Sequence, residues 1–225
     1  MMHRLFISLC VFFVSFVGLT ATAQEAEEYR VEFKTNVGSF TVKLYNDTPL
    51  HRDNFLGLVR EGAFNNLLFH RVIKNFMVQA GGEMRGDKEG ARLELLKSRH
   101  SEMIPAEFRY PQYFHKRGAL AAARQSDDVN PEKASDPMEF YIVVGEYFLE
   151  KELGRFETEE RGKMPEEVKQ AYMTEGGTPH LDSEYTVFGE LVEGYKVIDK
   201  IQNRETDADN RPHKEVYIIS AKILN

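Results

Sequence analysis

One stretch of the sequence, residues 69–82, sets a permanently charged side chain and an amide among large apolar side chains. Side chains alternate between the two faces of a strand, so Phe69, Arg71 and Ile73 are predicted to share a face. A bend beyond Ile73 restarts the alternation and brings Gln79 to the same cleft as Arg71. Arginine keeps its charge at every working pH, so it donates hydrogen bonds without transferring a proton. The pattern therefore predicts a pocket that polarises a bound group and performs no acid–base chemistry.

Alternating apolar and polar residues predict that short strands dominate the rest of the chain. The predicted strands are 29–35, 39–45, two within 69–79, 119–123, 139–144, 186–191 and 216–223. Helical spacing predicts one helix that Thr48 caps and Pro49 begins, and another over residues 195–201. This combination predicts a mainly β fold, a closed antiparallel barrel whose interior is filled by side chains. A ligand must then bind on the outside of the barrel.

Two charged segments interrupt the predicted strands, at about 83–117 and 146–177. The first predicts a long surface loop with a short helix over 93–96, and the second predicts a helical hairpin in which Pro165 begins the second helix. Long ordered loops usually serve a site, so we expect both segments to rim the ligand groove and narrow which chains enter it. The simpler interpretation is that they cover the edges of the barrel.

Four blocks of the sequence, in order, resemble the cyclophilin-type peptidyl-prolyl cis-trans isomerases. They are 69–82, Gly118–Ala123, Phe140–Ile142 and Leu181–Gly189. The resemblance implies eight antiparallel strands closed into a barrel with a helix over each open end. It also implies that residues 24–225 form one isomerase domain that acts on X-Pro peptide bonds and needs no cofactor or metal.

The resemblance also assigns roles to individual residues. Arg71 is implied to be the catalytic residue that donates a hydrogen bond toward the prolyl nitrogen, and Gln79 to hold the substrate carbonyl. Taken alone, the apolar members of the site are more often core residues, and an arginine is more often a surface or ion-paired residue. Arg124 stands where the family often has asparagine. The other implied substrate-binding residues, besides Gln79, are Phe76, Met77, Ala123, Arg124, Glu139, Tyr141, Leu181 and Tyr185.

Several positions depart from the family pattern. His180 stands where many members have tryptophan, Tyr185 where they have histidine, and Tyr141 where they have phenylalanine. We therefore expect an altered substrate preference and weak affinity for the family's cyclic peptide inhibitor. Glu139 stands where the family commonly has glutamine, and an ionised carboxylate accepts hydrogen bonds but does not donate them. We expect it to pair with Arg71 and to lower the activity.

The first 23 residues have the layout of a secretory signal peptide, with cleavage after about Ala23. A basic residue, Arg4, precedes an apolar run of roughly 15 residues, which is short of the ~20 that a spanning helix needs. The alternative is an uncleaved leader that keeps the protein at the membrane. The one cysteine, Cys10, lies within this leader. An exported chain without cysteine fits a bacterial periplasm, so we expect a periplasmic protein.

Composition argues against several other classes. The chain has 29 Lys and Arg against 36 Asp and Glu, a formal net charge of −7, which argues against a nucleic-acid partner. Its 7 histidines lack the close paired spacing of a zinc site. We expect a monomer, not stably inserted in the membrane, that acts on proline-containing polypeptides such as folding envelope or secreted proteins. The alternative function is a catalytically weak or inactive proline-peptide-binding chaperone of the cell envelope.

Overall fold

Eight strands form one antiparallel sheet in this computed structural model, which describes residues 28–159 and 161–224. The strands are β1 (Tyr29–Thr35), β2 (Gly38–Leu44), β3 (Arg71–Ile73), β4 (Met77–Ala80), β5 (Ala119–Ala122), β6 (Phe140–Val143), β7 (Val187–Glu193) and β8 (Ile218–Ile223). Their order in the sheet is β3-β4-β6-β5-β7-β2-β1-β8. The prediction of a mainly β fold with eight antiparallel strands is confirmed. The leader predicted at residues 1–23 lies outside the described residues.

The interior of the curled sheet is packed with aromatic side chains. In the β1–β2 hairpin, Phe33 lies directly opposite Phe40, and their rings stack with centroids 5.1 Å apart. Both side chains are almost completely buried, and Phe55, Phe64 and Phe140 pack around Phe33. Because protein interiors are close-packed, this core leaves the outer surface of the sheet as the place for a ligand.

The barrel closes through irregular backbone instead of through its two edge strands. Within the described residues, β3 and β8 share no strand ladder. Instead, the Asn66 N–H donates to the Ile218 carbonyl at 2.8 Å, the Ile218 N–H donates to the Leu67 carbonyl at 2.9 Å, and the Phe69 N–H donates to the Val216 carbonyl at 2.8 Å. The segment just before β3 therefore joins the two edges.

This closure corrects the predicted orientation of Phe69. Its side chain is 1% exposed and belongs to the interior cluster, whereas Ile73 packs against an apolar cluster on the outer face. Strand alternation does not extend to Phe69, because β3 begins only at Arg71. Phe69 therefore does not share a face with the site.

Five α-helices lie within the described residues: α1 (Pro49–Arg60), α2 (Ala91–Arg99), α3 (Glu150–Leu153), α4 (Glu166–Thr174) and α5 (Tyr195–Gln202). Helix α1 packs on β7 and β8, and helix α5 packs on β2, β3 and β4. Helix α1 buries Phe55, Leu58 and Val59, the residues whose spacing predicted it. None of these helices is long and apolar enough to cross a membrane.

The N-terminus of α1 is capped by a residue that the sequence pattern does not indicate. Thr48 occupies the cap position, but its side chain makes no capping hydrogen bond. The Glu107 carboxylate instead accepts the backbone N–H of Leu50 at 3.2 Å and that of His51 at 3.0 Å. A carboxylate suits this place because the first N–H groups of a helix lack intrahelical partners and carry partial positive charge. The segment 83–117 therefore supports the barrel as well as covering it.

The second inserted segment forms the predicted helical hairpin, in which α3 is a single turn. Its helices share a small cluster of their own, with Leu153, Met164, Val168 and Tyr172 buried. The segment rejoins the barrel at Gly177, where a Cβ atom would lie 2.3 Å from the carbonyl oxygen of His115. Only glycine permits this close approach between the hairpin and the barrel.

Candidate active site

A pocket of about 200 Å³, here called the outer pocket, lies on the outer face of the sheet around β3, β4 and β6. Nine of the ten residues to which the sequence analysis assigned a role line it. They are Arg71, Phe76, Met77, Gln79, Ala123, Arg124, Tyr141, Leu181 and Tyr185. The tenth, Glu139, reaches the pocket through its hydrogen bond to Gln79.

Strand register explains why the polar residues of the outer pocket meet. Arg71 lies opposite Gln79 across β3 and β4, and Gln79 lies opposite Tyr141 across β4 and β6. Residues directly opposite one another in antiparallel strands project from the same face. The three side chains therefore form one row across three strands.

An aromatic wall bounds one side of the outer pocket. Phe76 follows Asn75, whose φ of 59° is a left-handed conformation that asparagine tolerates in turns. The Phe76 ring stacks against His180, with centroids 5.6 Å apart and planes 20° apart. Burial, and then the neighbouring His115, lowers the pKa of His180, so this ring is neutral at pH 7. Phe76 and His180 thus form a flat, uncharged partition.

Arg71 is joined to Gln79 and not to Glu139. The Arg71 Nη1 donates to the Gln79 Oε1 at 3.2 Å, and the Gln79 Nε2 donates to the Glu139 Oε2 at 2.9 Å. The predicted ion pair between Glu139 and Arg71 is therefore wrong, because the Gln79 amide lies between the two charges. Among the described residues, Gln79 is the one hydrogen-bond partner of the Arg71 side chain, so most of its five N–H groups remain for a ligand.

The Glu139 carboxylate is half-buried and has charged groups of both signs close to it. Burial, and then the neighbouring Asp136, raises the pKa of Glu139, while Gln79 and Lys97 oppose this rise. The Lys97 Nζ lies 3.8 Å from one of its oxygens, which brings the segment 83–117 to the edge of the site. The His70 Nε2 lies 3.8 Å from the other oxygen, and burial lowers the pKa of His70 to about 4, so the ring is neutral.

Another part of the lining of the outer pocket is fixed by Arg124. Its guanidinium lies 4.5 Å from the centroid of the Tyr185 ring, and its Nε donates to the Glu184 carbonyl at 2.8 Å. It also forms ion pairs with Asp127 and Glu184. Arg124 is therefore a braced part of the wall, and its charge is already paired.

Ala123 lines the outer pocket, and its backbone N–H and carbonyl already have hydrogen-bond partners. Its N–H donates to the Glu139 carbonyl at 2.9 Å, and its carbonyl accepts the Asp136 N–H at 2.8 Å. A bound peptide would meet the methyl group and the remaining lone pair of this carbonyl.

A buried polar network behind the outer pocket was missed by the sequence analysis. The Tyr141 hydroxyl lies 3.0 Å from the His115 Nε2, and the His115 Nδ1 lies 3.0 Å from the Asp182 Oδ1. The Tyr172 hydroxyl donates to the other Asp182 oxygen at 2.6 Å. The Asp182 carboxylate accepts the Nδ1–H of the ring, and the Tyr141 hydroxyl is the hydrogen-bond partner of Nε2. The network ties a wall of the outer pocket to helix α4.

The one sequence signal for this network was a tyrosine where the family commonly has phenylalanine. Burial raises the pKa of Tyr141 well above its usual value, so its hydroxyl stays protonated. Asp182 stands directly after Leu181 of the outer pocket, but His115 precedes it by 67 residues. No local pattern predicts such a contact. Within the described residues, no group of three or more histidine, cysteine, aspartate or glutamate side chains is placed to hold a metal ion.

Comparison with known proteins places this chain in one family. The family model for cyclophilin type peptidyl-prolyl cis-trans isomerase/CLD matches residues 30–223. A peptidyl-prolyl cis-trans isomerase of Acinetobacter baylyi is 32% identical over 212 residues, which cover 92% of this chain and 91% of the relative. A Streptococcus pyogenes relative, whose name pairs a phosphatase with a peptidyl-prolyl cis-trans isomerase, is 35% identical over 87% of this chain, which spans 39% of its length.

A solved structure shares the fold. A cyclophilin type peptidyl-prolyl cis-trans isomerase of Cryptosporidium parvum, in the presence of the dipeptide Ala-Pro, is similar with a TM-score of 0.59 at 21% identity. The likeness covers 87% of this chain and 99% of that one. With the family match over nearly all the described residues, the chain belongs to the cyclophilin-type peptidyl-prolyl cis-trans isomerases.

Proposed function

We propose that this protein accelerates rotation about X-Pro peptide bonds in exported proteins, with Arg71 polarising the prolyl amide. Resonance in the C–N bond raises a barrier of about 18–20 kcal/mol, and X-Pro isomers exchange over about tens of seconds or longer. Acceleration requires that the protein bind the twisted amide better than either planar isomer. A hydrogen bond to the prolyl nitrogen does this, because the twisted form frees the lone pair of that nitrogen.

The surroundings of Arg71 support this role. One side-chain nitrogen is held by Gln79, which orients the guanidinium and leaves other N–H groups for a peptide. Apolar walls, among them Phe76 and Leu181, line the pocket beside the exposed guanidinium. A bound peptide would exclude water from this place and so strengthen such a hydrogen bond. The proline ring would lie against these walls.

Two titratable side chains that line the outer pocket, besides Arg71, do not favour proton transfer or covalent chemistry. Tyr141 stays protonated because burial raises its pKa, and Arg124 is held by Asp127 and Glu184. Neither is suited to act as a base. The mechanism is therefore stabilisation of one amide geometry by a fixed hydrogen-bond donor.

The observation that carries the proposal is the row formed by Arg71, Gln79 and Tyr141 beside an apolar hollow. The test is proton NMR exchange spectroscopy on a short X-Pro peptide, with and without the protein. Exchange between the cis and trans signals is expected to speed up in proportion to the protein concentration. An exchange rate that the protein leaves unchanged would rule out catalysis.

A second candidate is a proline-peptide-binding chaperone of the cell envelope with little or no catalysis. The hydrogen bond between Gln79 and Glu139 favours it, because this bond occupies one amide N–H that could otherwise hold a substrate carbonyl. The same NMR experiment separates the two functions. A chaperone would broaden or shift the signals of the peptide without speeding their exchange.

The exported setting rests on the leader in residues 1–23 and on the absence of cysteine from the sequence that follows it. We place the protein in a periplasm, acting on proline-containing envelope or secreted proteins. The alternative is retention at the membrane by an uncleaved leader. Fractionation of cells, with mass spectrometry of the N-terminus, tests both: a periplasmic chain that begins near residue 24 is expected. A full-length chain in the membrane fraction would support the alternative.

A further inference from the structure

A second hollow of about 400 Å³ adjoins the outer pocket, between the β3–β4 turn and the helical insertion. Six of the residues that line it are Phe76, Phe148, Arg155, Phe156, Thr178 and His180. We call it the aromatic groove. Three of these residues, Phe148, Arg155 and Phe156, belong to the inserted segment 146–177.

The aromatic groove and the outer pocket share a wall. Phe76 lines both, and His180 stacks on Phe76 with centroids 5.6 Å apart. An extended chain advances about 3.3–3.6 Å per residue. Because a single side chain, Phe76, lines both hollows, residues next to a proline held in the outer pocket would lie beside the groove. The groove lies within reach of the substrate's own flanking side chains, so no separate partner is needed to fill it.

The lining of the groove favours an aromatic occupant. The rings of Phe148 and Phe156 meet edge to face, with centroids 5.5 Å apart and planes 85° apart. The Arg155 guanidinium lies 4.7 Å from the Phe156 ring centroid and 6.0 Å from that of Phe148. Aromatic rings prefer offset or edge-to-face neighbours, and a cation over a ring face adds further attraction. A third aromatic ring bound here could contact the two phenylalanine rings edge to face and could also lie against the Arg155 guanidinium.

The groove also holds a hydrogen-bonding group that the described residues leave unused. Thr178 lines the groove and is 3% exposed, and its hydroxyl oxygen has no hydrogen-bond partner. Buried hydroxyls usually have one. Phe148 and Phe156 also pack on the hairpin cluster around Tyr172, yet both stay partly exposed toward the groove. Packing of the hairpin alone does not account for these features.

We propose that the aromatic groove binds an aromatic side chain one or two residues from the proline, so that the inserted segment selects substrates. This inference rests on the proposed isomerase function. It assigns to the insertion a binding site for a flanking aromatic residue of the same polypeptide.

The experiment compares short proline peptides that carry one phenylalanine, one or two residues before or after the proline, with a peptide that has alanine at all of these positions. NMR exchange spectroscopy gives kcat/KM without a protease, whose own preference would confuse the result. In at least one position, phenylalanine is expected to raise kcat/KM about 2- to 12-fold, the range of one aromatic pair.

Two variants and a control locate the preference. Phe156→Ala is expected to bring the ratio of kcat/KM for the phenylalanine and alanine peptides close to one. Arg155→Ala is expected to lower this ratio as well, and its exposed side chain makes loss of folding no concern. Lys151→Ala is the matched control, because Lys151 is exposed on the same hairpin but does not line the groove. It is expected to keep the parental ratio.

The outcomes separate this inference from the proposed function. If the parent protein isomerises every peptide at the same rate, the aromatic groove is not a subsite, although the isomerase function stands. If no peptide is isomerised, the proposed catalysis fails, and fluorescence anisotropy of the same peptides tests the groove directly. Tighter binding of a phenylalanine peptide that Arg155→Ala weakens would support the groove, and equal binding of all peptides would overturn it.

Discussion

Tyr141→Phe is expected to destabilise the protein, although it restores the ring that the family commonly has at this position. The substitution leaves the His115 Nε2 without its partner, which now lies 3.0 Å away. His115 is 1% exposed, so water does not replace the lost hydroxyl. A buried polar group left unpaired costs about 1–3 kcal/mol. For a domain of this size, the melting temperature should fall by about 2–12 °C, since 1 kcal/mol corresponds to about 2–4 °C.

Thermal unfolding followed by circular dichroism measures this effect. Tyr147→Phe is the matched control, because Tyr147 is 67% exposed and its loss of a hydroxyl should change the free energy of unfolding by less than about 0.5 kcal/mol. Urea unfolding of both variants gives the same comparison at 25 °C. A Tyr141→Phe protein as stable as the parent, or more stable, would refute the view that the Asp182 network needs the tyrosine hydroxyl.

Two further predictions concern carboxylates at the edge of the site and of the barrel. The pKa of Glu139 is raised in the folded state, which therefore binds the carboxyl proton more tightly than the unfolded state does. Ionisation of Glu139 consequently lowers the stability of the protein as the pH rises through the folded pKa. Glu139→Gln should therefore gain stability relative to the parent between about pH 4 and pH 7, measured by urea unfolding, and a constant difference would contradict this. Glu107→Ala should lose about 1–3 kcal/mol of unfolding free energy, since the N–H groups of Leu50 and His51 lose their acceptor. The exposed change Glu102→Ala serves as its control, and equal stability of the two variants would contradict the cap.

The elements of the fold could be predicted because their signals are local. The β1–β2 hairpin follows from strict alternation on either side of Gly38, and α1 follows from Pro49 and the spacing of its apolar residues. The predicted face of Phe69 is wrong because its backbone N–H donates to the carbonyl of Val216, a residue near the other end of the chain. Alternation within a strand carries no information about where the strand begins.

The members of the candidate site could be named from the resemblance, but the contacts between them could not. Glu139 was expected to pair with Arg71 because opposite charges attract. Strand register instead places Gln79 between them. No local pattern distinguishes His115 from the other scattered histidines, since its partners Tyr141 and Asp182 lie far along the chain. Contacts of this kind depend on tertiary geometry.

In the proposed mechanism, a permanently charged donor, the Arg71 guanidinium, lowers the barrier to rotation about the prolyl bond. The most direct measurement is kcat/KM for an X-Pro peptide by NMR exchange spectroscopy, compared between the parent, Arg71→Ala and Arg71→Lys. Loss of one preorganised donor is worth about 2.7–4 kcal/mol, so Arg71→Ala should slow the reaction by about 10² to 10³. Arg71→Lys keeps the positive charge but loses the planar guanidinium with its paired donors. Its kcat/KM should therefore lie between that of the parent and that of Arg71→Ala.

The melting temperature of each Arg71 variant serves as the control for folding, since the side chain is exposed and makes its described hydrogen bond only to Gln79. If a folded Arg71→Ala protein isomerised the peptide as fast as the parent, the guanidinium would have no part in the reaction.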